Sequence, residues 1–307
     1  MAHFADRILE AIDRKAAPIC VGIDPVIDQL PDVILDRHKA DDAEGRSDLD
    51  AIFDFVAELL EVIAPHVPAV KFQWACFERY GPEGLEILGA LVHEAASREL
   101  VVIADAKRGD IGISAAHYAQ ATLIDPPAGP EDQVASADAV TVSSYFGDDG
   151  LRPFLDLAAL EAKGVFALVR TSNPGADALQ QRELKDGGTV ADAVAAFVAE
   201  IGDNPRYLGN GGYSLLGAVV AATRPQEAAR LRRLMPRQLF LVPGFGAQGG
   251  SAGDVKPCFH EDGRGALVTA SRSVIYAFRQ KPEQDWRTAV EEAVIDMRKA
   301  VGSVLPM

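Results

Sequence analysis

Residues 101–110 read VVIADAKRGD. The first four, Val101, Val102, Ile103 and Ala104, are continuously apolar and rich in β-branched side chains. A run of that kind, too short for a free-standing helix, suits a strand of a parallel sheet covered on both faces. It then breaks into alternating charge, with Asp105 and Lys107 two residues apart and Asp110 beyond a glycine. A buried strand that ends in charge must open onto something polar, because an unpaired charge inside an apolar barrel or sheet is very costly.

Seven more runs of the same character lie on either side of it. They are 19–24 (ICVGID), 69–73 (AVKFQ), 139–144 (AVTVSS), 165–170 (VFALVR), 217–222 (GAVVAA), 239–244 (LFLVPG) and 265–270 (GALVTA). Segments with helical periodicity separate them, among them 49–64, 84–98, 151–162, 189–201 and 226–234, and a charged helix over 284–301 closes the chain. Strand then helix, repeated eight times, predicts a TIM (β/α)8 barrel, with an open doubly wound sheet as the alternative. A chain of 307 residues could hold two domains by length alone, but α/β barrels reach this size as one. No charge block, low-complexity stretch or long Pro/Ser linker marks a boundary, so the expectation is a single domain over 1–307. The acidic stretch 36–50, the Pro-rich stretch 125–135 and the glycine cluster 209–212 read as loops without assigned chemistry.

Composition narrows the class of partner. With 30 Lys+Arg against 45 Asp+Glu the net charge is −15 and the pI is near 4.8, which disfavours nucleic acid or an anionic membrane as the main partner. No apolar stretch approaches the roughly 20 residues needed to cross a bilayer. The amino terminus turns polar and acidic at once, unlike a signal peptide. Three scattered cysteines, Cys20, Cys76 and Cys258, form neither a disulfide framework nor a paired metal motif, and the six histidines are equally dispersed. These features are those of a cytoplasmic protein in a reducing compartment.

In a barrel the C-terminal strand ends form the face where chemistry is done. Here the first strand ends in Asp24, the second carries Lys71, and the third runs into Asp105, Lys107 and Asp110. Asp105 and Lys107 fall on the same side of a strand, which in a barrel is the interior. The bland reading is an ion-pair network that holds strands together. Burying four charges is a poor way to gain stability, so an array that keeps a lysine beside carboxylates as a proton donor is favoured. After the seventh strand, Gly244, Gly246 and Gly249 match G-x-G-x-x-G. The next strand ends in Ala-Ser-Arg and not in a ribose-binding acid, so a phosphate cradle suits this loop better than a dinucleotide site. Glycine N–H groups, Gln248 and Arg272 would supply its donors.

The segment Asp105-Ala-Lys107-Arg-Gly-Asp110-Ile-Gly-Ile-Ser114 closely resembles the D-x-K-x-x-D-I-x-x-T signature of the orotidine 5′-phosphate decarboxylase family. The likeness extends through Val21-Gly-Ile-Asp24-Pro25, Lys71, Thr171-Ser172-Asn173-Pro174-Gly175, the 242–250 loop and Ser271-Arg272. Chain length and loop wording are similar to the longer bacterial subgroup, type 2. The resemblance implies a homodimeric barrel that converts orotidine 5′-monophosphate to UMP without metal or organic cofactor. It implies Lys107 as proton donor to C6, Asp105 beside the scissile carboxylate, and Lys71 completing the array and touching the ribose. It further implies Asp110 entering the neighbouring site from the partner subunit, Asp24 on the ribose hydroxyls, Ser172 on the pyrimidine amide, and Gln248 with Arg272 on the phosphate. Ser114 stands where the family has threonine, keeping the hydroxyl as a substrate contact and losing the methyl.

Two other readings compete with this one. A metal-dependent sugar-phosphate decarboxylase or aldolase barrel would need an extra acid near the second or third strand, where Lys71 stands as the only charge of the second run. A catalytically dead barrel acting as a binding module would be expected to have lost some of the four charged positions, and all four are intact.

Overall fold

Each continuous apolar run of the sequence becomes a strand that is covered on both sides, inward by barrel side chains and outward by helices. The computed structural model describes residues 2–38, 47–125, 135–222, 224–246 and 250–306. The strands are β1 (Ile19–Ile23), β2 (Ala69–Phe72), β3 (Val101–Arg108), β4 (Ala139–Ser143), β5 (Gly164–Arg170), β6 (Leu216–Val220), β7 (Phe240–Val242) and β8 (Ala266–Ala270). All neighbours pair in parallel and in chain order. β8 pairs back onto β1, with Val21 beside Ala270, which closes the barrel and rules out the open sheet.

The longer helices are α1 (Phe4–Lys15), α2 (Ser47–Ile63), α3 (Gly81–Ser97), α4 (Gly112–Leu123), α5 (Asp148–Glu161), α6 (Val190–Gly202), α7 (Pro225–Leu234) and α8 (Trp286–Gly302). Their starts are written locally. The Thr189 hydroxyl and Asp192 carboxylate form a reciprocal capping box at α6, and Asp285 accepts from the Arg287 and Thr288 amides at α8. One crossover departs from the expected pattern: between β7 and β8 the described residues form a single turn of α-helix, Ala252–Val255, running into a 3-10 turn that contains Pro257. Proline after so short a turn stops it from lengthening.

The helix α1 precedes the first strand and covers the barrel's N-terminal end. Phe4 packs edge-to-face on Phe166 at 6.1 Å, and a Cβ on Gly164 would lie 2.3 Å from the Phe4 ring. Arg7 donates to Asp138 at 2.9 Å. The glycine cluster 209–212 has its role here: the Asn210 and Gly211 amides donate to the Asp6 carboxylate at 2.9 and 2.8 Å. Gly209 is required at this approach, since a Cβ there would lie 2.6 Å from His3 Nδ1 and 2.7 Å from Asp6 Oδ1. With the bottom sealed, the opposite end is left to carry the site.

Candidate active site

At the C-terminal ends of the strands lies a cavity of about 530 Å³, bordered by Asp24, Lys71, Asp105, Lys107, Ser172 and Arg272 among others. Six sequence-predicted residues from five strand ends thus converge. Asp105 is the hub. Its Oδ2 accepts from Lys71 Nζ at 2.7 Å, with Gln73 Nε2 at 3.4 Å. Its Oδ1 accepts from Lys107 Nζ at 2.7 Å and from the Thr141 hydroxyl at 2.9 Å.

Burial alone would raise the Asp105 carboxyl, but the ammonium groups of Lys71 and Lys107 outweigh it and hold the pKa at about 2. Burial likewise works against the charge on Lys71. Asp105 and then Asp24 more than offset it, so the Lys71 pKa is pushed above the ordinary lysine value. Asp105 and Lys71 therefore hold each other in the charged form across the neutral range.

Lys107 does not sit as deep as simple strand alternation predicts. Its side chain is 48% exposed, against 11% for Asp105. The cause is an irregularity in the β3–β4 pairing between Ala104 and Arg108, and a left-handed backbone at Lys107, φ 46°. A bulge of this kind re-aims a side chain at the end of a strand.

Asp24 borders the cavity with a buried Oδ1 that has no hydrogen-bond partner among the described residues, and the same holds for the buried Ser271 hydroxyl next to the strand end. Its backbone is fixed by Tyr276, whose phenol donates to the Asp24 carbonyl at 3.1 Å and accepts from the Val26 amide at 2.8 Å. On the β7 side, Gly244 and Gly246 have φ of 102° and 72°, as the expected glycine loop requires. The Gly246 amide is engaged by the Gly250 carbonyl at 2.9 Å, and the Gly250 amide by the Gly244 carbonyl at 3.0 Å, so these two close the turn. Gln248 lies outside the described residues. Arg272 is exposed at the cavity rim, and no described carboxylate pairs with it.

Asp110 and Ser114 are not brought to this cavity. Asp110 accepts from its own neighbour, the Ile111 amide, at 2.8 Å, and Ser114 is exposed on the first turn of α4. Around them stand Ile111 (54% exposed), Ile113 (74%), Tyr145 (82%) and Phe146 (46%).

The sequence reading missed the polar frame behind the site. Arg170, 3% exposed in its side chain, pairs with Glu227 at 2.7 Å and with Asp177, and donates to Gln180 Oε1 at 3.1 Å. That same oxygen takes the Thr171 amide at 3.0 Å, which fixes the loop carrying Ser172. A strand of apolar residues ending in arginine was the available signal. Among the described residues no group of three or more His, Cys, Asp or Glu side chains converges as a metal site, and no helix is long and apolar enough to cross a membrane.

The family model of the orotidine 5′-phosphate decarboxylase / HUMPS family matches residues 18–289, which span all eight strands. The chain belongs to this family. It is 40% identical over 305 residues to the orotidine 5′-phosphate decarboxylase of Rhodopirellula baltica, covering 97% of this chain and 99% of that one. It is 35% identical over 307 residues to the decarboxylase of Caldicellulosiruptor bescii, at 99% and 100% coverage. The solved structure of the Leishmania donovani OMP decarboxylase superposes with a TM-score of 0.73 at 28% identity, covering 99% of this chain and 98% of that one. Of the signature residues, Asp105 and Lys107 lie where β3 opens onto the cavity, and Asp110 and Ser114 lie outside it.

Proposed function

We propose that this chain decarboxylates orotidine 5′-monophosphate to UMP and CO2, without metal or organic cofactor, and that Lys107 is the proton donor. The observation that carries the reading is the Lys71–Asp105–Lys107 triad set into the cavity at the mouth of the barrel. Loss of CO2 breaks the bond from C6 to the carboxylate and leaves the electron pair on C6. A fixed cation beside that carbon stabilises the developing charge and then delivers a proton to it. Asp105, held at about 2, is ionised at any working pH and cannot be the acid. Lys107 can, and its half-exposed side chain allows water to return the proton afterwards. Asp105 would lie against the substrate carboxylate, a repulsion relieved when neutral CO2 departs.

The rest of the nucleotide has a place along the cavity. Asp24 and Lys71 suit the ribose hydroxyls, and the Asp24 Oδ1, without a partner among the described residues, is the group such a hydroxyl would satisfy. Ser172 suits the pyrimidine amide, and Arg272 with Gln248 the phosphate. Binding energy from the phosphate, remote from C6, can organise the charges that act there. Asp110 and Ser114 act from a second copy of the chain. The exposed apolar side chains around them, Ile111, Ile113, Tyr145 and Phe146, support a homodimer formed on that face. Residues 1–307 act as one domain, and three free cysteines fit the reducing cytoplasm.

The test is loss of orotate absorbance on addition of orotidine 5′-monophosphate to the purified protein, with and without EDTA. Turnover that EDTA leaves unchanged and Lys107→Ala abolishes is expected. Near-normal turnover by Lys107→Ala, in a protein that still binds UMP, would overturn the mechanism, and EDTA inhibition would favour a metal-dependent barrel.

A further inference from the structure

Behind the triad stands a hydroxyl with two partners and no contact with the cavity. Thr141, in β4, is 1% exposed and is not among the cavity-lining residues. Its Oγ1 lies 2.9 Å from Asp105 Oδ1 and 3.0 Å from the Lys107 backbone nitrogen. Chemistry sets the direction of both bonds. An ionised carboxylate only accepts and a backbone N–H only donates, so the hydroxyl gives its single proton to Asp105 and accepts from Lys107.

The Lys107 backbone is what needs holding. β3 and β4 pair Ile103 with Ala139 and Ala104 with Val140, and the next pair is Arg108 with Val142. Four steps along β3 therefore meet two along β4. Continuing the regular register puts Thr141 level with Asp105, so Ala106 and Lys107 are the surplus residues. Lys107 takes them up with φ 46°, a left-handed conformation that a residue with a Cβ keeps only when its surroundings enforce it. The Thr141 bond is at that spot, on the amide of the strained residue itself.

We infer that Thr141 is a positioning residue: one hydroxyl ties the bulged backbone of Lys107 to the carboxylate of Asp105 and so fixes the ammonium over the reacting carbon. The inference rests on the reading of Lys107 as proton donor. A hydroxyl that merely fills the barrel would matter for stability alone, and its loss would leave turnover in the folded protein unchanged.

Three variants test this: Thr141→Val, which replaces the hydroxyl by a methyl of similar size, Thr141→Ser, which keeps the hydroxyl, and Lys107→Ala. For each, kcat and KM for orotidine 5′-monophosphate and the affinity for UMP are measured. Misplacing a reacting group by about 1 Å can cost on the order of a hundredfold, so kcat of Thr141→Val should fall by about tenfold or more while UMP affinity stays within about threefold. Thr141→Ser should return kcat to within about threefold of the parent. A smaller fall in Thr141→Val, a parallel loss of UMP binding, or failure of serine to restore kcat overturns the inference. If Thr141→Val does not fold, Thr141→Ala against Thr141→Ser is read by the same criteria, since both lack the γ-methyl and differ in the hydroxyl. An inactive Lys107→Ala beside a normal Thr141→Val sinks the role of Thr141 alone. An active Lys107→Ala sinks the proton-donor reading and this inference with it.

Discussion

Replacing Asp105 by asparagine removes the one negative charge on which both ammonium groups converge at 2.7 Å. Two estimates bound the effect on stability. Asp105 titrates at about 2 in the folded chain against an ordinary 3.8, and with 1.36 kcal/mol per unit that difference contributes about 2 kcal/mol near neutral pH. The carboxyl is 11% exposed, so solvent screening takes little from this figure. The upper bound comes from Lys71, whose side chain is 9% exposed and which would be left buried without its main partner. Breaking a buried pair by removing one member costs about 3–5 kcal/mol. Asp105→Asn should therefore unfold in urea with a stability lower by about 2–5 kcal/mol at pH 7, followed by far-UV circular dichroism. Because the folded pKa is depressed, the carboxylate's contribution is complete above about pH 4. It is lost as pH falls through the folded value, so the gap between the two proteins should shrink by roughly 1 kcal/mol by pH 3. A variant as stable as the parent at pH 7, or a gap that is constant from pH 5 to pH 3, would refute the description of the triad as a mutually stabilised unit.

Two other outcomes follow from the geometry. Mixing Asp110→Asn with Lys107→Ala should recover partial decarboxylase activity through hybrid dimers carrying one intact site, whereas either variant alone stays inactive. No recovery in demonstrated heterodimers would count against the trans assignment of Asp110. Gly217→Ala would place a Cβ 2.6 Å from the Phe166 ring and 2.7 Å from the Leu239 carbonyl, with backbone on one side and a buried ring on the other. Overpacking of this sort costs about 1–3 kcal/mol, so thermal unfolding should come several degrees earlier; an unchanged midpoint would show that β6 can shift away.

What the sequence made legible was whatever each segment decides for itself. The run VVIADA became β3 because a short apolar β-branched stretch has few other places to go, and Lys71, Asp105 and Arg272 were marked by charge at the end of such runs. α4 escaped notice because its alanine-rich stretch, AAHYAQATL, carries little amphipathic contrast. The half-exposed position of Lys107 could not be read from Asp-x-Lys spacing. It depends on a register shift against β4 and on the Thr141 hydroxyl 34 residues away. Arg170 was marked by its place at the end of an apolar strand, but its partners were not legible: Asp177 and Gln180 depend on how the segment after β5 folds back, and Glu227 comes from α7, 57 residues on.

The attachment of α1 to the glycine cluster also has a consequence for how the chain is made. Asp6 meets the Asn210 and Gly211 amides across 204 and 205 residues, and Asp13 meets Arg264 across 251. At a synthesis rate of about 5–20 residues per second, α1 waits roughly 10–40 s on the ribosome before the amides that hold Asp6 exist. Until the strand ends they pack against have been made, Phe4, Ile8 and Leu9, all buried in the finished protein, have no barrel floor to cover them. The first helix synthesised is thus among the last to be seated, and its apolar stripe stays uncovered until the later strands arrive.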